Sequence, residues 1–313
     1  MKSSIPKTAK KLGPFSKKNL SRTLFLIIIF AWPTWAFIWN FVVVNANSFV
    51  LAFSNYDAET HTFVPMLNFD NFSKVFNDLI HTTELKRTLI NSIVYYVFTL
   101  AMIPIHLFVS FMVHKKCPGS KFFTVVFFLP GIISSIVWVM IFKYAVEYVI
   151  PRLFDLDLRV SLLLSQKWAF PTLLVYKFWI SFAGGLIIYT GAMSRIPPEI
   201  VEYGSLDGLG KYKEFIYITL PLIFPTISVY LVTGVIGLFS GSPDILAFYG
   251  SDAPFQTWTF GYYFFKIIIG SGASAQSMYP YASAAGLIFT LICAPIVYLV
   301  RYLLEKFGPS VEF

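Results

Sequence analysis

Six apolar runs, each long enough to cross a lipid bilayer, constrain this chain more than any other feature. They are Thr23–Val44, Thr88–Val113, Phe122–Phe142, Pro171–Met193, Leu220–Phe239 and Tyr281–Tyr302. A helix needs about 20 mostly apolar residues to cross about 30 Å of hydrocarbon. It also satisfies its backbone polar groups within one segment, which lipid demands. Strands of a membrane barrel would alternate in polarity over short segments, whereas these runs are apolar on all sides. Composition agrees. Of 313 residues 57% are hydrophobic and 13% charged, against roughly a quarter charged in a soluble domain. The expected class is all-α: a polytopic membrane protein with six transmembrane helices. Pro33, Pro104, Pro130 and Pro295 lie within or at the ends of spans, where membrane helices tolerate proline.

Basic residues orient the spans. Six crossings put both termini on one side, with the loop His114–Lys121 and the stretch between the fourth and fifth runs. That side holds 15 of the 24 Lys and Arg but 6 of the 16 acids. Both termini are therefore expected in the cytoplasm of a cell whose inner membrane holds the chain. The organisation is a basic tail over 1–22, a membrane domain over 23–302 and a short tail over 303–313. The net charge of +8 needs no nucleic acid, because a basic tail beside anionic headgroups accounts for it. The first run exceeds the roughly 7–15 apolar residues of a cleaved signal and reads as an uncleaved anchor.

Several chemistries find no support. Cys117 and Cys293 fall in a loop and a span and suggest no disulfide. His61, His81, His106 and His114 have no metal-ligand spacing and read as loop or packing residues. The GLGK of Gly208–Lys211 lacks the earlier glycine and the following Ser or Thr of a phosphate loop. GSGASA at Gly270–Ala275 has no βαβ unit around it. Every acid maps outside the six runs, which disfavours an ion-coupled carrier, and no acid, His or Ser constellation suggests a membrane enzyme. Lys177 is the one clear charge within a run. It either snorkels to the outer interface or faces an aqueous cavity.

The fourth and fifth runs are joined by IPPEIVEYGSLDGLGKYKEFIYITLPLIFP, Ile196–Pro225. Pro197 and Pro198 suit a helix start, and Glu199 and Glu202 follow at its positive end. Asp207–Gly208 then signals a turn, and KYKEFIYITL leads to Pro221, where the fifth span is expected to begin. Two short helices around a glycine turn on a membrane face make a shape for docking another protein. In register, Glu202, Asp207, Gly208, Phe215, Ile218, Leu220 and Pro221 resemble the EAA loop of ABC transporter permeases. Tyr203, Gly204 and Leu209 stand where that pattern has alanines. SFVLAFSNYD, NFDNFSKVF, LKRTLINSIVYYV and FFLPGIISSIVWVMIFKY are similar to stretches of the carbohydrate-importer permeases of the maltose and oligosaccharide type.

The resemblance implies a type I importer fold: a heterodimer of homologous permeases on an ATPase dimer, served by an extracytoplasmic substrate-binding protein. The loop 196–221, through Glu199, Glu202, Tyr203, Gly204, Asp207, Gly208, Phe215 and Pro221, would couple to the ATPase. The chain would hold no cofactor, ATP and magnesium binding to the partner, and would catalyse nothing. Sugar contacts are implied at Lys177, Trp179, Ser181 and Gly184 in the fourth span and at Gly237, Leu238 and Gly241 in the fifth. The glycines would leave room for a sugar ring, Trp179 would stack on it, and Lys177 would favour an acidic sugar. Ordinary small-residue helix packing is the competing account of the glycines. A related permease for peptide, phosphate or another solute, or an ion-coupled carrier, is the alternative function.

Overall fold

The computed structural model describes residues 17–154, 161–269 and 275–309. The GSGASA stretch lies almost wholly outside the described residues, as do most of the basic tail and the last four residues. The chain opens with α1 (Lys17–Phe37), continues through a π-helical stretch (Ile38–Val43) into α2 (Val44–Ala52), and turns into a hairpin of β1 (Ser54–Asp57) and β2 (Thr62–Pro65). α3 (Asp70–His81) then leads to the long α4 (Thr83–His114). Next come α5 (Ser120–Ile132), α6 (Ser135–Tyr144), a π stretch (Ala145–Val149) and α7 (Ile150–Leu153). α8 (Ala169–Ile180) and α9 (Phe182–Met193) follow, then α10 (Pro198–Leu206), α11 (Lys211–Glu214), the π stretch Phe215–Thr219 and α12 (Leu220–Leu222). α13 (Phe224–Ser240), α14 (Ile245–Tyr249), α15 (Phe260–Ile269) and α16 (Ala275–Phe307) complete the fold.

Among the described residues, five stretches are long and apolar enough to cross a membrane: Thr23–Ala52, Thr83–His114, Ala169–Met193, Phe224–Tyr249 and Ala275–Phe307. A sixth crossing exists if α5 and the helix Ser135–Leu153 count as one span. They meet at a bend of 108°, so the third run is not the straight helix expected of it. Pro130 leaves one helical hydrogen bond unmade. Ile133 and Ser134 then adopt extended backbone, with ψ of 143° and 137°. The fifth span also differs from expectation. Pro221 lies inside α12, and the break falls at Ile223, so the long helix starts at Phe224 with Pro225 in its first turn.

Lipid is as apolar as leucine, so helices in a membrane associate by close packing and interhelical hydrogen bonds. Both are present. A Cβ on Gly131 of α5 would come 3.1 Å from that of Ala183 in α9, so this glycine sets how near the two helices approach. Asn91 of α4 donates to the carbonyls of Gln256 (2.7 Å) and Trp258 (2.9 Å). The Ser92 hydroxyl accepts from the Phe260 N–H at 2.9 Å. Together they fasten the loop before α15 to α4. Asn71 likewise donates to Ala52 and Ser54 carbonyls, at 3.1 and 2.9 Å, holding the hairpin's root on α3. Tyr176 and Phe248 meet edge-on, centroids 4.9 Å apart, in a core that joins α6, α8 and α14.

Candidate functional site

Two regions have the geometry of a working site. The first is a cavity of about 350 Å³ between α4, the α8–α9 joint and α13. It brings together Lys177, Ser181, Gly184, Gly237 and Gly241, five of the seven residues implied as pathway residues. The backbone explains their convergence. α8 stops at Ile180 and α9 starts at Phe182, so Ser181 sits at a joint. α13 stops at Ser240, and residues 241–244 carry the chain non-helically into α14. A Cβ added to Gly184 or Gly237 would meet nothing within 4 Å. These two glycines therefore face space, and close packing between helices of this chain does not account for them.

The other two implied residues, Trp179 and Leu238, are not among the lining residues. Trp179 lies against Phe127 of α5, centroids 5.9 Å apart, because the helical turn aims it away from Lys177. It is positioned to pack, not to stack on a ligand in this cavity.

Lys177 is not alone. Its Nζ donates to Asp244 Oδ2 at 3.1 Å, and the two side chains keep 25% and 30% of their surface exposed. Its ammonium is held at the cavity by this pair. Asp244 lies outside the apolar runs, immediately before α14, and α14 extends the fifth span beyond its expected end at Phe239. Asp244 has φ of +57°, a left-handed backbone that Asp tolerates better than most residues.

His106, expected to be a packing or loop residue, is both packed and polar. Its ring meets Phe182 edge-on at 4.8 Å, and its Nε2 lies 3.1 Å from Ser181 Oγ. The Ser181 hydroxyl donates to the Phe178 carbonyl at 2.9 Å. That leaves the oxygen to accept, so the His106 proton sits on Nε2. Tyr95, Tyr96 and Thr99 of α4 also line the cavity; the two tyrosines fall in the stretch LKRTLINSIVYYV, whose resemblance gives them no role in the pathway.

The second region is the helix–turn–helix of α10 to α12. Pro198 occupies the first turn of α10, and Gly208 at φ +75° makes the turn. Gly204 is buried. A Cβ there would lie 2.5 Å from Ile218 Cδ1, so a residue without a side chain lets α10 fold back on the following stretch. Glu199, Glu202, Tyr203, Asp207 and Gly208 are exposed on its outer face, Tyr203 at 69%. Its bulk therefore projects outward and does not disturb the fold-back. On the inner face Phe215 packs on Phe111 of α4, centroids 4.9 Å apart. Lys115, one residue past α4, pairs with Glu214 at 2.5 Å. Glu214 is 8% exposed. This bridge, invisible in the spacing, ties the loop to the second crossing. Among the described residues no group of three or more His, Cys, Asp or Glu could hold a metal ion.

A family model matches residues 79–309, and it describes the inner membrane component of binding-protein-dependent transport systems. The chain belongs to that family. The matched residues include both regions just described. Among curated relatives, the multiple sugar-binding transport system permease protein MsmF of Streptococcus mutans is 26% identical over 198 residues, 62% of this chain and 67% of that one. Among solved structures, a chain of a bacterial ABC transporter involved in the import of the acidic polysaccharide alginate superposes with a TM-score of 0.73. It is 20% identical, with 93% of this chain and 98% of that one covered. A chain from the bacterial alginate ABC transporter in complex with alginate pentasaccharide-bound periplasmic protein gives 0.71 at 22% identity, covering 92% and 96%. These likenesses show the fold of an ABC importer permease. The family member is a membrane-embedded transport subunit.

Proposed function

We propose that this chain is one of two homologous permeases of an ATP-driven sugar or oligosaccharide importer, forming half of the pathway. Its cargo would arrive on an extracytoplasmic binding protein, a counterpart of the alginate pentasaccharide-bound periplasmic protein in the second solved structure. The name of MsmF favours sugars as the cargo class. Both termini and the α10–α12 loop lie in the cytoplasm on this reading, where Glu202 and the Asp207–Gly208 turn seat in a groove of an ATPase subunit. Closure of the ATPases then shifts the crossings between two arrangements, inward- and outward-facing. The observation that carries the proposal is the loop itself. Its docking residues are exposed on one face, and its other face is fastened to α4 through Lys115–Glu214 and Phe215–Phe111. A push on the outer face therefore reaches the crossing that lines the cavity.

The test is co-expression with the candidate ATPase, second permease and binding protein, followed by ATPase assays in nanodiscs with a panel of oligosaccharides. Sugar-stimulated hydrolysis should occur in the wild type and be lost in Gly208→Asp, which adds a charged side chain at a left-handed turn. Stimulation by a peptide or phosphate instead would move the cargo to the alternative class. Failure of any ATPase to associate would refute the importer reading.

A further inference from the structure

The geometry points to Asp244 as an exchangeable counterion: the carboxylate of an acidic saccharide takes its place on Lys177 when the cavity is filled. This rests on the reading of the chain as a saccharide permease and deepens it to a substrate class.

A lysine in a cavity within the spans needs an anion beside it, since desolvating an unpaired ammonium is prohibitive. The way Asp244 supplies that anion is not the way a structural bridge is built. A buried pair stabilises a fold when further hydrogen bonds complete it. Among the described residues, the only side-chain hydrogen bond to the Asp244 carboxylate is the one from Lys177, at 3.1 Å. That is long for a charge-assisted bond, which runs to about 2.7–2.9 Å. Both partners keep a quarter or more of their side-chain surface. Asp244 also sits where the fifth span is interrupted, in the non-helical stretch 241–244, on a left-handed backbone. Its carbonyl accepts from the Ala247 and Phe248 N–H groups at the start of α14, so the exchange is a rotation of the Asp244 side chain that leaves that turn intact.

The space next to the pair is shaped for a ligand. Gly184 and Gly237 face open volume, and the remaining polar lining is uncharged hydroxyl and imidazole. A neutral sugar offers hydroxyls, which bond to a lysine but do not replace its counter-charge, so the pair stays closed. A uronate carries the same carboxylate group as Asp244. Exchange keeps Lys177 neutralised throughout and releases Asp244 toward water.

The experiment uses the assembled importer in proteoliposomes and measures uptake of a radiolabelled uronic-acid trimer and of its carboxyl-reduced, neutral counterpart. The readout is the ratio of their half-saturating concentrations. The binding protein is unchanged between variants and so cancels. Asp244→Asn should move the ratio about tenfold toward the acidic trimer, and Lys177→Gln about tenfold the other way, the scale of one charge interaction across about 4 Å at a partly screened site. Lys177→Gln/Asp244→Asn carries no unpaired charge and keeps the cavity, so it remains informative if a single variant fails to fold. It should discriminate against the acidic trimer as Lys177→Gln does. An unchanged ratio in the double variant, or equal losses for both probes in all variants, would make the pair a structural strut and overturn the proposal, with the importer reading intact. A wild type that takes up neither probe overturns the acidic-saccharide assignment, whereas the importer reading falls only if no ATPase associates.

Discussion

Gly185 lies directly beneath a histidine ring. A Cβ at that position would come 2.9 Å from two His106 ring atoms. A ring held by Phe182 and Ser181 cannot swing aside as the end of a flexible chain can. Gly185→Ala should therefore lower stability by about 1–3 kcal/mol, the usual cost of overpacking, seen as a lower thermal midpoint in detergent. A double-mutant cycle with His106→Ala should show coupling of about 1 kcal/mol or more. Strict additivity would mean that the two do not touch. At this scale the sequence is informative for some residues and silent for others. Ser181, Gly184 and Gly237 can be singled out from the resemblance alone, but the open space beside the two glycines is visible only in three dimensions. Trp179 turns away from the cavity because one turn of helix decides which neighbour an aromatic meets. The role of Asp244 is not legible because its partner is 67 residues away, and separation of that size carries no periodic signal.

The second crossing and the docking loop act as one element because an ion pair joins them. Lys115 and Glu214 keep 21% and 11% of their side-chain surface, so each would be left largely desolvated without the other. Glu214→Gln should cost about 2 kcal/mol, the scale of a hydrogen bond to a charged group. It should also weaken ATP-to-transport coupling more than it weakens binding of the ATPase. The measurement is transport per ATP hydrolysed beside pull-down of the ATPase. Equal loss of both would place Glu214 in the docking surface itself. Exchange of the pair, Lys115→Glu with Glu214→Lys, should recover part of the coupling. The helices of this loop are legible from Pro197–Pro198 and Asp207–Gly208, whose backbone preferences are local. The broken third crossing is not. Pro130 is visible, but a membrane helix can absorb a proline, and only the extended Ile133 and Ser134 turn tolerance into a bend.

Across the whole molecule, burial is uneven among the crossings. None of the apolar window in Thr23–Ala52 is buried, against 44% of that in Ala169–Met193. The fourth crossing is the centre of the fold, and the first touches the rest chiefly through its final turns, where Ala52 packs near Val75 and Ala284. A chain lacking the residues before Val44 should keep its thermal midpoint in detergent within about 2 °C. Each kcal/mol of lost stability would shift a chain of this size by about 2–4 °C, so a larger drop would show that the first helix supports the core. The apolar character of the crossings is readable from run length. Which crossing is central is not, since every run is oily on all sides and only tertiary contact ranks them.

The Lys177–Asp244 bridge also has a consequence in time. The ribosome makes the lysine 67 residues before the aspartate, and at about 5–20 residues per second that is an interval of about 3–13 s. For those seconds the fourth crossing carries a charge whose partner does not yet exist. Until then its ammonium is balanced by water or headgroups, at the modest cost of one lysine in a span. The pair that balances the finished cavity is thus closed only after its later member is synthesised, so the charge balance of the fourth crossing is completed by the fifth.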